Sequence, residues 1–241
     1  MKVNILDILV DKITSDQVLE KIKNWLESKE QHYLVTPNPE IVLEARKDKE
    51  LKDILNKAAL AIPDGIGLIF ASWLYLNPLK RVQGSDLTNQ ILKLAKEKKY
   101  KVYFLNWQKG LSKTKEIKKS IKEKYGQIEI EGQGIEKDGE NINLKIIQEF
   151  KPDILLVALG APWQEKIINK FLFQIPSVKI AMAVGGTLDF ITGKIKRAPL
   201  IFRRLGLEWF WRLICQPWRI KKIFTATCKF PLAAIKYKFK L

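Results

Sequence analysis

Residues 58–79 constrain the fold more than any other stretch. They are almost wholly apolar and carry one charge, Asp64. Residues 58–62 read as a buried strand. Pro63 ends it, and Gly65 permits a tight turn. Residues 67–76 then read as an apolar helix. A membrane span is disfavoured, because Pro63-Asp64-Gly65 interrupts the run and an Asp within a span costs about 2.5–3.5 kcal/mol on insertion. Asp64 therefore falls at a strand-to-helix corner. In parallel α/β sheets ligands bind there, outside the carboxyl ends of the strands. Two readings stay open: an N-cap for the following helix, or a chemical group.

The same grammar recurs along the chain. Residues 3–9 read as a strand or hairpin. Thr14 and Gln17 form a capping box, followed by the helical stripe Val18, Leu19, Ile22, Trp25 and Leu26. The strand 33–35 runs into Thr36-Pro37-Asn38-Pro39-Glu40, where two prolines fix a polar turn and open a helix. Residues 40–47 and 50–57 are amphipathic. Residues 101–105 and 128–131 read as further strands, with a basic helix around Ile117, Ile121 and Tyr125 between them. The continuous apolar run 154–159 suits a central parallel strand and ends in Gly160-Ala161-Pro162-Trp163-Gln164-Glu165. The last strand, 180–184, ends in Gly185-Gly186-Thr187.

Four strand ends thus finish in polar turns, at Thr36/Asn38, Asp64, Gln164 and Thr187. In a parallel sheet they share one edge, which makes that edge the candidate cleft. The expected fold class is α/β, a Rossmann-like parallel sheet core with a helical basic C-terminal appendage. The core is expected over residues 1–193 and the appendage over 194–241.

Charge supports that division. Of a net +17, residues 194–241 carry +12, with Glu208 as their one acid. Such a segment suits an anionic partner. Cys215 and Cys228, the two cysteines, suggest neither a zinc site nor a disulfide framework. The first residues lack the pattern of a signal peptide, so a cytoplasmic location is expected. With His32 as the single histidine, a His-based metal site or a Ser-His-Asp triad has little support.

The usual phosphate signatures are missing. There is no G-x-x-x-x-G-K-[ST] run, no D-x-D pair, and Gly65-Ile66-Gly67 lacks the third glycine of a dinucleotide fingerprint. A diphosphate would have to be met by Arg, helix N-termini and backbone N–H groups. Arg81 and Gln83, just before a helix opened by Gly84 and Ser85, suit such a role; a solvated Arg is the plain alternative. Asp64 is the best candidate general base, since an apolar pocket raises a carboxyl toward the useful range.

Seven motifs then occur in order across nearly the whole chain: Thr36-Pro37-Asn38-Pro39-Glu40, Pro63-Asp64-Gly65-Ile66-Gly67, Arg81-Val82-Gln83-Gly84-Ser85-Asp86-Leu87, Gly160-Ala161-Pro162-Trp163-Gln164-Glu165, Val184-Gly185-Gly186-Thr187-Leu188-Asp189-Phe190, Arg197-Ala198-Pro199 and Gly206-Leu207-Glu208-Trp209. Together they resemble the WecG/TagA/CpsF bacterial glycosyltransferases. The resemblance implies metal-independent, inverting transfer of an N-acetylhexosamine from a UDP-sugar. The acceptor it implies is polyprenyl-diphosphate-linked N-acetylglucosamine. It favours UDP-N-acetylmannosamine (UDP-ManNAc) as donor, with UDP-ManNAcA or UDP-glucose as alternatives, and no cofactor or metal. It makes Asp64 the general base and places Thr36, Asn38, Arg81, Gln83 and Gln164 in the cleft. Gln164, Gly185 and Gly186 fall on the nucleotide side. Arg212 and Arg219 match arginines that complete the site over the diphosphate, although Gln216 stands where many members carry Glu.

From Lys194 onward basic and aromatic residues interleave, with three of the seven tryptophans at 209, 211 and 218. That composition suits an amphipathic helix on an anionic membrane surface. The expected location is the inner face of the cell membrane, held peripherally. Binding to single-stranded nucleic acid is the competing reading and would go with a non-catalytic α/β protein; no nucleic acid partner is expected. An exposed apolar tail could also drive homo-oligomer formation.

Overall fold

Six short strands lie side by side in one parallel sheet in a computed structural model that describes residues 1–239. A two-stranded hairpin precedes them, β1 (Lys2–Ile5) and β2 (Ile8–Asp11). The sheet strands are β3 (His32–Val35), β4 (Leu60–Ala61), β5 (Val102–Trp107), β6 (Ile130–Ile135), β7 (Ile154–Ala158) and β8 (Ile180–Ala183). Their spatial order is β4-β3-β8-β7-β5-β6. The four strands whose ends carry the polar turns, β4, β3, β8 and β7, are therefore consecutive neighbours. The expected convergence of those turns on one edge follows directly from this order.

Side chains alternate across the sheet, as the two-residue period of a strand requires. Leu34, Phe104, Leu156 and Met182 face one layer, with Val18 and Ile22 of α1 (Ser15–Glu27), Leu87 and Ile91 of the later helix at Gly84–Lys98, and Ile117 and Ile121 of the one at Thr114–Tyr125. Leu105, Leu155, Val157 and Ala181 face the other layer. At the β4 end of the sheet, α2 (Pro39–Ala45), α3 (Lys49–Lys57) and α4 (Ile66–Leu74) pack with the hairpin in a third cluster. The remaining core helices are α5 (Gly84–Lys98), α6 (Thr114–Tyr125), α7 (Leu144–Phe150), α8 (Trp163–Phe171) and α9 (Thr187–Ile191). Local rules set several of these ends. The Thr14–Gln17 capping box starts α1, and Asn38 caps α2 with Oδ1 accepting from the Glu40 and Ile41 N–H groups.

Beyond Lys194 the chain is helical but broken. It forms α10 (Leu200–Arg204), α11 (Glu208–Cys215), α12 (Ile220–Phe224), a π-helical turn at Thr225–Lys229, and α13 (Phe230–Phe239). The single amphipathic helix of the sequence reading is thus several short ones, because Gly206 turns the chain with φ +73° and Pro217 cannot continue α11. Lys240 and Leu241, the last two residues of the expected appendage, lie outside the described residues. The segment packs back onto the rest. Phe230 is fully buried among Leu68, Ala71 and Val35, Tyr75 Oη donates to the Ala234 carbonyl at 3.1 Å, and Tyr237 Oη donates to Asp7 at 2.8 Å.

Candidate active site

Asp64 sits in the turn between β4 and α4, and it does not cap α4. Gly65 occupies the cap position with φ +87°, a conformation that suits glycine, and no side chain bonds the helix start. Asp64 Oδ1 instead accepts from the Gly65 N–H at 2.9 Å. Backbone bonds stitch this turn to its neighbours. The Asp64 N–H donates to Pro37 O and the Val82 N–H to Pro63 O. The loops after β3 and β4 and the entry to α5 therefore hold one another, and the prolines of the sequence motifs supply the acceptors.

A charge cluster surrounds the carboxylate. Arg81 Nη2 lies 3.9 Å from Asp64 Oδ1 and 3.0 Å from Glu208 Oε2. Gln83 Nε2 donates to the same Glu208 oxygen at 3.2 Å, and Arg212 Nη2 donates to Glu208 Oε1 at 3.1 Å. Arg81 is thus not a solvated cation: it shares the Glu208 carboxylate with Arg212. Burial opposes the Glu208 charge, but the Arg212 and Arg81 guanidiniums outweigh it and hold this carboxyl below its usual value. Asp64 goes the other way. Burial raises it, and the pull of Arg81 does not compensate. Asp64 lines both cavities described next, and 31% of its side chain is exposed.

Two cavities meet at Asp64. The first is a polar cleft of about 510 Å³ over the ends of β3, β7 and β8. Thr36, Asn38, Gln164, Gly185, Gly186 and Thr187 line its floor, and Arg212, Arg219, Lys221 and Lys222 close over it from the C-terminal segment. Arg219 makes no ion pair among the described residues. Its guanidinium is held by Gln216 Oε1 at 3.2 Å, and burial together with the neighbouring Arg212 lowers its pKa. The second cavity is a groove of about 300 Å³ with Ile66, Gly67, Phe70, Trp209, Ile223, Ala226 and Pro231 in its walls. Arg81 and Gln83 lie here and not in the polar cleft. Six residues border both cavities: Asn38, Glu40, Asp64, Ser85, Arg212 and Arg219.

Of the ten residues expected in the site, eight line the polar cleft, and Arg81 and Gln83 line the second cavity, with Arg81 3.9 Å from Asp64. His32 starts β3 at the opposite end from Thr36 and stacks on Trp25 with ring centroids 4.3 Å apart. Sequence reasoning missed Glu208, Glu165 and Glu40. Glu208 had a signal, being the one acid in a strongly basic segment. Among the described residues no group of three or more His, Cys, Asp or Glu side chains could hold a metal ion, and no helix is long and apolar enough to cross a membrane.

A family model described as "Glycosyl transferase WecG/TagA/CpsF family" matches residues 3–241. The chain is also similar to proteins named N-acetylglucosaminyldiphosphoundecaprenol N-acetyl-beta-D-mannosaminyltransferase. The one from Bacillus subtilis (strain 168) is 35% identical over 89% of this chain and 83% of its own length. The one from Bacillus spizizenii is 35% identical over 97% and 93%. The one from Staphylococcus aureus (strain MRSA252) is 33% identical over 92% and 88%.

Proposed function

This chain belongs to the WecG/TagA/CpsF glycosyltransferase family, and from that premise we propose that it moves N-acetylmannosamine from UDP-ManNAc onto polyprenyl-diphosphate-linked N-acetylglucosamine, with inversion and without a metal. The observation that carries this reading is the junction of two unlike cavities at one carboxylate with a raised pKa. A nucleotide sugar is polar and anionic, and suits the polar cleft under Arg212, Arg219, Lys221 and Lys222. A lipid diphosphate is apolar at one end, and suits the groove between α4 and the C-terminal helices. Arg212 and Arg219 border both and can meet the diphosphate of either substrate.

In the proposed step the acceptor hydroxyl oxygen attacks the sugar anomeric carbon. The bond from that carbon to the diphosphate oxygen breaks, and UDP leaves with the electron pair. Asp64 takes the hydroxyl proton. A positioned general base contributes about 10²–10⁴-fold, and a carboxylate raised by burial is a stronger base than one in water. The cleft cations stabilise the charge that grows on the leaving UDP, the work a divalent ion does in other transferases. The donor and acceptor identities are carried over from the names of the relatives. They point to the linkage unit of teichoic acid or a related surface polysaccharide.

The same reading puts the protein on the inner face of the membrane. Ile66 and Phe70 are exposed and also line the groove, and Trp73 follows one turn along the same helix, 66% exposed. An apolar rim beside a groove for a lipid tail, with a basic segment around it, suits an anionic bilayer surface. The test is UDP release in EDTA from UDP-ManNAc, UDP-ManNAcA, UDP-glucose and UDP-GlcNAc, with and without a short-chain lipid-diphosphate-GlcNAc. Acceptor-dependent release from UDP-ManNAc is expected. Preference for another sugar would move the donor assignment, and no acceptor-dependent release from any of them would overturn the reading.

A further inference from the structure

Glu165 is a buried acid to which the proposed chemistry assigns nothing. It stands in the first turn of α8, where an acid is ordinarily a solvated partner of the helix N-terminus. Here it is fully buried. Its Oε2 has no hydrogen-bond partner, and burial pushes its carboxyl up to about 7. A buried polar atom left without a partner is destabilising, so the helix alone does not account for an acid at this position.

The other carboxyl oxygen has a defined task. Gln164 Nε2 donates to Glu165 Oε1 at 2.9 Å, and the Gly185 N–H donates to Gln164 Oε1 at 2.9 Å. The two bonds fix the Gln164 amide in one sense, nitrogen toward the carboxyl and oxygen toward the cleft floor. A flipped amide would set its NH₂ against the Gly185 N–H, donor to donor, and lose both bonds. Gly185 takes φ +52° in the turn after β8 and, like Gln164, lines the polar cleft.

We infer that Glu165 is a positioning residue for the donor: it orients the Gln164 amide, which in turn holds the Gly185 turn in the shape that receives the nucleotide. Glu165 itself does not line the cleft. The inference rests on the assignment of the polar cleft to UDP-sugar.

The experiment measures UDP affinity by calorimetry and the melting temperature of the full chain, in the wild type, Glu165→Leu, Glu165→Gln, Gln164→Ala and the Glu165→Leu/Gln164→Ala double variant. Leu fills the space without the unpartnered oxygen, and such apolar replacements of buried charge are often neutral or stabilising. Glu165→Leu is therefore expected to melt no lower than wild type yet bind UDP about fivefold to tenfold more weakly, the worth of one lost orienting hydrogen bond. Glu165→Gln keeps an acceptor toward Gln164 and should bind within about twofold of wild type. On the Gln164→Ala background Glu165→Leu should add nothing, because the two act as one unit. Unchanged affinity in Glu165→Leu, an additive loss in the double variant, or a Glu165→Leu protein that no longer folds would each overturn the inference. Wild type that fails to bind UDP would overturn the donor assignment along with it.

Discussion

At the scale of single residues, the site rests on two carboxyls driven in opposite directions. Asp64 is raised by burial, whereas Glu208 is held down by Arg212 and Arg81 against its own burial. The sign for Glu208 follows from its lowered folded pKa. Its stabilising effect is present above the usual value of 4.5 and is lost as pH falls through the lower folded value. Urea melts should therefore show the wild type losing stability below about pH 4.5, near the reference for a free Glu. Glu208→Gln should already be weaker by about 3 kcal/mol at pH 7, because Arg81 and Arg212 lose their shared partner. Equal stability of the two proteins at pH 7 would contradict the account. Asp64 was legible in the sequence because one charge in a long apolar run has few roles. Glu208 was not placed, because its partner Arg81 is 127 residues away and the approach of the two depends on how the C-terminal segment folds back. The burial of Glu165 was not legible, since sequence periodicity does not reveal which first-turn side chains of α8 face inward.

At the scale of elements, the strand-turn-helix units were readable and their lengths less so. The run 58–62 yields only the two-residue β4, since it sits at the edge of the sheet and pairs with β3 alone. Residues 106 and 107, expected in a loop, continue β5 because β6 offers them partners. In α13 the aromatics Phe230, Tyr237 and Phe239 are interspersed with lysines, and Phe230 is fully buried. Gly67 on α4 lies against both Pro39 and this ring: an added Cβ would stand 2.6 Å from Pro39, too close, and at an ordinary contact distance of 3.4 Å from Phe230. Packing between segments some 160 residues apart leaves no periodic trace in the sequence. Phe230→Ala should cost about 3–5 kcal/mol in a urea melt, whereas Phe239→Ala, at an exposed position, should stay within about 0.5 kcal/mol. The first variant should also loosen α12 and with it the lid of Arg219, Lys221 and Lys222, so UDP affinity should fall alongside stability.

At the scale of the whole molecule, a conventional parallel sheet supplies one edge of polar turns, and the basic C-terminal segment adds walls to the two cavities at that edge. The sequence showed both parts but not their docking, which rests on contacts between distant residues such as Tyr237 with Asp7. The exposed side chains Trp73, Ile214 and Trp218 lie outside both cavities. Replacing all three with Ser should lower co-sedimentation with anionic vesicles by at least about tenfold, given the apolar area withdrawn from the bilayer. Turnover of a short, water-soluble acceptor should be unchanged, and equal vesicle binding by the triple variant would argue against this surface as the membrane contact. The most direct test of the central claim is the rate of sugar transfer to lipid-diphosphate-GlcNAc by wild type and Asp64→Asn, followed from pH 4 to 9 with UDP affinity measured in parallel. Because the proposed base would act ionised and the Asp64 pKa is raised, wild-type activity should fall on the acid side above the value near 4 of a free Asp. Asp64→Asn should bind UDP nearly as wild type does but transfer at least about 10²-fold more slowly, without that acid limb. An Asp64→Asn enzyme that transfers sugar at the wild-type rate would contradict the account.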